Sequence, residues 1–156
     1  MPGSLAARFM PSIPLNQLIP VLQVAIGPVI LISGVGLLLL TLTNRLGRAV
    51  DRSRQLGGEL RHADDAERPR LAAQVVIIYA RARVLRLSIT MSALAVLLVS
   101  VLIIILFLMA LMKLDVGLVI TLLFMSCMAS VIVSLVAFIR DIQLSLKALK
   151  LELGYD

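Results

Sequence analysis

Two apolar runs, residues 87–112 and 116–139, contain no charged side chain and are separated only by Lys113-Leu114-Asp115. No other feature restricts the fold as much. Each run exceeds the roughly 20 residues that a helix needs to cross a hydrocarbon core of about 30 Å. In lipid every backbone N–H and C=O must find its partner within the protein, so a segment of this kind crosses as a helix. The three-residue connection forces the two helices to lie antiparallel. Asp115 is placed to cap the second of them.

A third run, residues 18–43, precedes them. It is longer than the apolar part of a signal peptide and is followed by strong positive charge, so it reads as a retained first span. Before it, residues 1–17 form an external segment interrupted by Pro2, Pro11 and Pro14. Within the span, Pro20 suits a first helical turn. Pro28 lies mid-span and leaves the carbonyl of Val24 without its helical donor. Gln23, Gly27, Ser33 and Gly34 surround it. These residues predict either a kinked helix packed closely through small side chains or a break lining a pore.

Between the first two spans lies a polar segment, residues 44–86, with helical periodicity. Leu46, Val50, Ser53 and Leu60 recur at near-heptad spacing, with Ala49 and Leu56 beside them. Arg45, Arg48 and Arg52 share one face. Gly57-Gly58 weakens the helix, and residues 62–67 read as a turn in which Asp64 or Asp65 caps the return helix, with Pro69 in or near its first turn. Leu71, Val75, Ile78, Ala82 and Leu85 mark the seam of that return helix. No Gly or Pro occurs from there to Met112. An unbroken helix over 69–112 would be about 66 Å long, so roughly half must project from the bilayer. The expected architecture is all-α, with three transmembrane helices and a cytoplasmic antiparallel helical hairpin between spans 1 and 2.

The chain is 60% hydrophobic and carries a net charge of +6 from fifteen Lys and Arg against nine Asp and Glu. Ten of the basic residues fall at 45, 48, 52, 54, 61, 68, 70, 81, 83 and 86. Basic residues next to spans mark the cytoplasmic side. The hairpin and the helical tail, residues 140–156, are therefore expected inside and the N-terminus outside. With no Trp and two Tyr, the aromatic interleaving of a base-stacking surface is missing. Anionic lipid headgroups, rather than nucleic acid, are the expected partner of the basic segment.

Enzymatic sites need converging nucleophiles, acids, bases or metal ligands. The single His62 falls in a turn, the single Cys127 falls in an apolar run as a small packing residue, and no carboxylate falls inside the spans as bounded above. No catalytic residue, metal or cofactor is expected. Ser126, Ser130 and Ser134, at intervals of four, predict a helix-packing face. Two functional expectations remain. One is a structural or accessory subunit that self-assembles or joins a larger membrane complex. The other is a homo-oligomeric pore lined by the first span, with Gln23, Ser33, Thr41 and Thr43 as its polar surface and Arg45, Arg48 and Arg52 at its inner mouth. The elbow residues Arg45, Arg48, Asp51, Arg52 and Arg54 are either a topology signal or part of an inter-helix network. In the second case Asp51 would meet Arg81, Arg83 or Arg86.

Three stretches carry a family resemblance. They are Ile26-Gly27-Pro28-Val29-Ile30-Leu31-Ile32-Ser33-Gly34 running on to Thr43-Asn44-Arg45-Leu46-Gly47-Arg48-Ala49-Val50-Asp51-Arg52-Ser53-Arg54, then Arg81-Ala82-Arg83 with Arg86, and Phe138-Ile139-Arg140-Asp141-Ile142 with Ser145-Leu146. On these residues the chain resembles a family of small bacterial membrane proteins of unknown function (domain of unknown function twenty-seven twenty-one). The resemblance implies a three-span unit of the bacterial cytoplasmic (inner) membrane. It implies no activity and no catalytic residue.

Overall fold

The computed structural model describes residues 15–112 and 117–153, which form three helices: α1 (Leu15–His62), α2 (Arg68–Met112) and α3 (Gly117–Leu153). Each is long and apolar enough to cross a membrane. At 1.5 Å per residue even the shortest, α3 with 37 residues, runs about 56 Å, well beyond a hydrocarbon core of about 30 Å. The segment 113–116 and the expected cap Asp115 lie outside the described residues, as do residues 1–14.

α1 is continuous across both Pro20 and Pro28. Its hydroxyls are satisfied within the helix: Ser33, Thr41 and Thr43 donate to the carbonyls of Val29, Leu37 and Leu39 at 3.3, 3.0 and 2.8 Å. At the α1–α2 connection, the Asp64 carbonyl accepts from the amides of Glu67 and Arg68, and the Glu67 carbonyl accepts from Leu71. Asp64 thus organises the turn through its backbone, and Pro69 occupies the first turn of α2, where a missing N–H is harmless.

Packing follows one register from end to end. The buried positions of α1 include Val35, Leu42, Ala49 and Leu56, spaced by seven. Those of α2 are Ile78, Leu85, Ser88, Ser92, Ala95, Val99 and Leu102. Those of α3 are Cys127, Ser130, Ser134, Ala137 and Asp141. Alternating steps of three and four are the signature of left-handed, coiled-coil-like packing. The same register carries through the polar half of α1, which shifts the expected seam by one position: Ala49 and Leu56 are buried, whereas Val50 is exposed. The physical reason is continuity, because an unbroken helix must extend the register that Leu42 sets within the apolar run.

α2 is the central helix. It packs against both neighbours, while α1 and α3 approach each other only weakly. One apolar cluster joins Leu42 and Ala49 to Leu85, with Phe138 of α3 against it. A second joins Ala95 and Val99 to Cys127, with Leu31 and Ile32 of α1 against it. α1 and α2 therefore run antiparallel: 49 and 42 meet 85, and 31 and 32 meet 95 and 99.

Between α2 and α3 three serines replace apolar side chains. The Ser88 hydroxyl donates to the Ser134 carbonyl and the Ser134 hydroxyl donates to the Ser88 carbonyl, both at 2.8 Å. Both protons are then committed, so the 2.6 Å contact of Ser92 with the Ser134 Oγ is a donation from Ser92. Small residues let the two backbones approach closely enough for these reciprocal bonds. Ser134→Ala is expected to lower unfolding free energy in micelles by about 1 kcal/mol. Ser134→Leu, which forces bulk into the same contact, should cost about 3 kcal/mol. Equal effects in an unfolding titration would show that the close approach does not matter.

Candidate functional site: arginines around a buried carboxylate

The polar centre of the molecule is Asp141, fully buried on α3. A lone carboxylate away from water is strongly unfavourable and must be paired and hydrogen-bonded. Two helices supply the partners. Arg45 of α1 donates from Nε at 2.9 Å and from a terminal nitrogen at 2.7 Å to one carboxylate oxygen. Arg81 of α2 donates from Nε to the other oxygen at 3.4 Å. Ser145, one turn along α3, donates to the Asp141 carbonyl at 2.9 Å and accepts from Arg45 at 3.4 Å. The Arg45 guanidinium also lies 5.3 Å from the centre of the Phe138 ring, within range of a cation–π contact. Among the described residues no buried side-chain nitrogen or oxygen lacks a partner.

Helical periodicity explains how these groups meet. Phe138, Asp141 and Ser145 lie at i, i+3 and i+7 on one face of α3. Asp141 is seven residues beyond Ser134, and Arg81 is seven before Ser88, so the ion pair is the next layer of the seam after the serines. The layer falls just beyond the apolar runs of all three helices.

Beside it lies a cavity of about 270 Å³ lined by Arg45, Arg48, Ala49, Arg52, Ile78 and Arg81. Arg48, exposed, and Arg52, which is 3.9 Å from Glu59 on its own helix, reach it because 45, 48 and 52 share a face. The other basic elbow residues go elsewhere. Arg54 is exposed, and Arg83 and Arg86 border a separate surface depression with Leu87 and Thr90. Asp51 is exposed; the carboxylate between the arginines of α1 and α2 is Asp141.

Of the first-span residues, Gln23, Ser33 and Gly34 are exposed on α1. Gly27 and Pro28 line an apolar cavity of about 320 Å³ with Leu31, Val99, Leu102, Phe124, Cys127 and Met128, where all three helices meet. Of the serine face, Ser130 and Ser134 are buried and Ser126 is exposed, its carbonyl accepting from Ser130. His62 is exposed, and the buried Cys127 thiol donates to the Ala95 carbonyl at 3.5 Å. Among the described residues no group of three His, Cys, Asp or Glu could hold a metal ion.

Sequence reasoning missed Asp141, Ser145 and Phe138 as site residues. The signal was available: counting the seam forward from Ser130 and Ser134 in steps of three and four lands on Asp141.

Three apolar helices, long enough to span a bilayer and joined at one end by a buried ion-pair layer, define a multi-pass helical membrane protein. Within that class the chain belongs to the family described as "Protein of unknown function (DUF2721)", which matches residues 25–151. No curated protein and no solved structure matches the chain.

Removing one partner of a buried ion pair leaves an uncompensated charge and costs about 3–5 kcal/mol. Asp141→Ala should destabilise by that amount in an unfolding titration. The double variant Arg45→Ala/Asp141→Ala should be less destabilised than the two single effects added together. Strict additivity would mean that the two side chains do not interact.

Proposed function

We propose that this protein is a non-enzymatic structural or accessory subunit of the bacterial cytoplasmic membrane, which self-assembles or joins a larger membrane complex. Its basic α1–α2 hairpin projects into the cytoplasm and its N-terminus lies outside. The orientation is supported by the concentration of arginines from 45 to 86 and by the positive-inside rule.

The observation that carries the assembly reading is the open surroundings of the α1 glycines. A Cβ built at Gly34 or Gly36, on opposite flanks of α1, meets nothing within 4 Å, so these glycines are not needed for packing inside one chain. Small residues on a lipid-exposed helix face allow a neighbouring helix to approach closely. Meanwhile the buried polar groups of the bundle are satisfied internally, Asp141 by Arg45 and Arg81, Ser88, Ser92 and Ser134 among themselves, and Ser130 by the Ser126 carbonyl, which is the behaviour of structural rather than reacting groups. Gly34→Leu should leave the chain folded yet break its assembly, as read by size measurement in native lipid discs. A wild-type chain that is monomeric and without a stoichiometric companion in those discs overturns this function.

A second reading, the homo-oligomeric pore, draws on one observation. Gly27, Gly34, Thr41 and Arg48 are all exposed and recur at intervals of seven along α1, so one stripe leads from the glycines to an arginine. Under this reading liposomes containing the protein pass anions, and Arg48→Glu reduces the anion flux. An oligomer that passes no ions removes it.

A further inference from the structure

We propose that the cavity lined by Arg45, Arg48, Arg52 and Arg81 is a binding site for a phosphate-type anion, supplied either by an anionic lipid headgroup or by free phosphate.

The charge balance at the cavity points this way. Arg45 and Arg81 share a single carboxylate, Asp141, which leaves one positive charge between them. Exposed Arg48 adds a second. Arg52, engaged by Glu59 at 3.9 Å, stands beside them. The donors match as well. Arg81 commits its Nε–H to Asp141, which leaves the N–H groups of its terminal nitrogens for another acceptor, since a guanidinium carries five donors. Guanidinium forks fit the paired oxygens of a phosphate better than they fit a spherical halide. Ala49 and Ile78 form an apolar wall, which lowers the local dielectric and strengthens any ion held there. Asp141 anchors two of the four guanidiniums from below, so part of the site is pre-organised before an anion arrives.

Depth decides how lipid could reach it. Arg45 follows the first apolar run by two residues, and Arg81 precedes the second by six. The cavity thus opens where hydrocarbon gives way to headgroups. The site stands on its geometry whichever function holds; only its access to lipid rests on the hairpin lying at a bilayer surface.

The test begins with the full chain in neutral detergent, titrated with inorganic phosphate against chloride at matched ionic strength, with thermal unfolding as the readout. In parallel, the chain goes into lipid discs of phosphatidylcholine with or without phosphatidylglycerol, and retained lipid is weighed by native mass spectrometry. The expected result is a saturable shift. Arg48→Ala, which removes an exposed side chain outside the ion-pair layer, should weaken the apparent affinity about tenfold, the effect of one charge-assisted hydrogen bond. Arg54→Ala, on the far face of α1, should leave it unchanged. One phosphatidylglycerol retained per chain and displaced by phosphate identifies a headgroup; phosphate binding that this lipid does not displace identifies the free anion. A shift that follows ionic strength alone, or that Arg48→Ala and Arg54→Ala reduce equally, overturns the site. A chain that is monomeric and without a companion yet still binds would remove the assembly reading and leave the site intact.

Discussion

The contact of Asp141 with Arg45 and Arg81 is a polar interaction that brings all three helices together at a single point. α1 and α3 have little direct backbone contact, so their relative position is set through α2 and through the side chains that bridge them. Arg45 is such a bridge. Its guanidinium reaches the carboxylate, the Ser145 hydroxyl and the Phe138 ring together. A buried ion pair adds little net stability over apolar residues of the same volume, but it penalises every arrangement that leaves the charge unpaired. In a bilayer that penalty has special value. Lipid tails are as apolar as Leu, so apolar side chains alone discriminate poorly between helix registers.

The serine layer acts in the same way one heptad deeper. Ser134 and Ser88 exchange hydroxyl and carbonyl bonds, and both are seven residues from the ion-pair layer, about 10.5 Å along a helix. A slide of α3 along α2 by one turn would break both layers at once. α1 shares only the upper layer, through Arg45. Its deeper contact is apolar, with Leu31 and Ile32 against the Ala95–Val99–Cys127 cluster, and there the bundle holds a cavity. The assembly is accordingly an α2–α3 pair registered by two polar layers, with α1 packed on α2 through apolar contacts and tied by polar contacts at Arg45.

The spans were legible because unbroken apolar length is a strong signal that tertiary structure seldom overrides, and 87–112 and 116–139 have no competing explanation. The clustering of Arg45, Arg48 and Arg52 was legible too, since spacings of three and seven place side chains on one helical face. The key carboxylate was not. Asp51 drew attention because it sits among arginines in sequence, yet it lies off the seam and is exposed. Asp141 reads as the first step of a solvated tail because Arg140 precedes it. Only the seam of α3, followed past the last apolar residue, puts Asp141 inside. Arg81 and Arg86 separate for a related reason: 81 lies a heptad from buried Ser88, whereas 86 falls on the outer face with Arg83. Local charge composition cannot distinguish these positions, and only the register of a continuous helix does so.

That register also explains why position 45 suits arginine and not lysine. Two N–H groups of Arg45 converge on one carboxylate oxygen, a terminal nitrogen also reaches Ser145, and the guanidinium carbon lies over the Phe138 ring. An ammonium is a compact point charge with no planar face, and it could meet the carboxylate only by giving up the stacked and forked contacts. The same planarity lets Arg45 stay half-buried in the joint while also lining the arginine cavity beside it. A single side chain therefore couples how α1 is held to what the cavity can bind. An anion entering the cavity would draw on the same guanidinium that pairs with Asp141. Binding there would act directly on the fastening of α1, the helix whose exposed glycines are open to a neighbour.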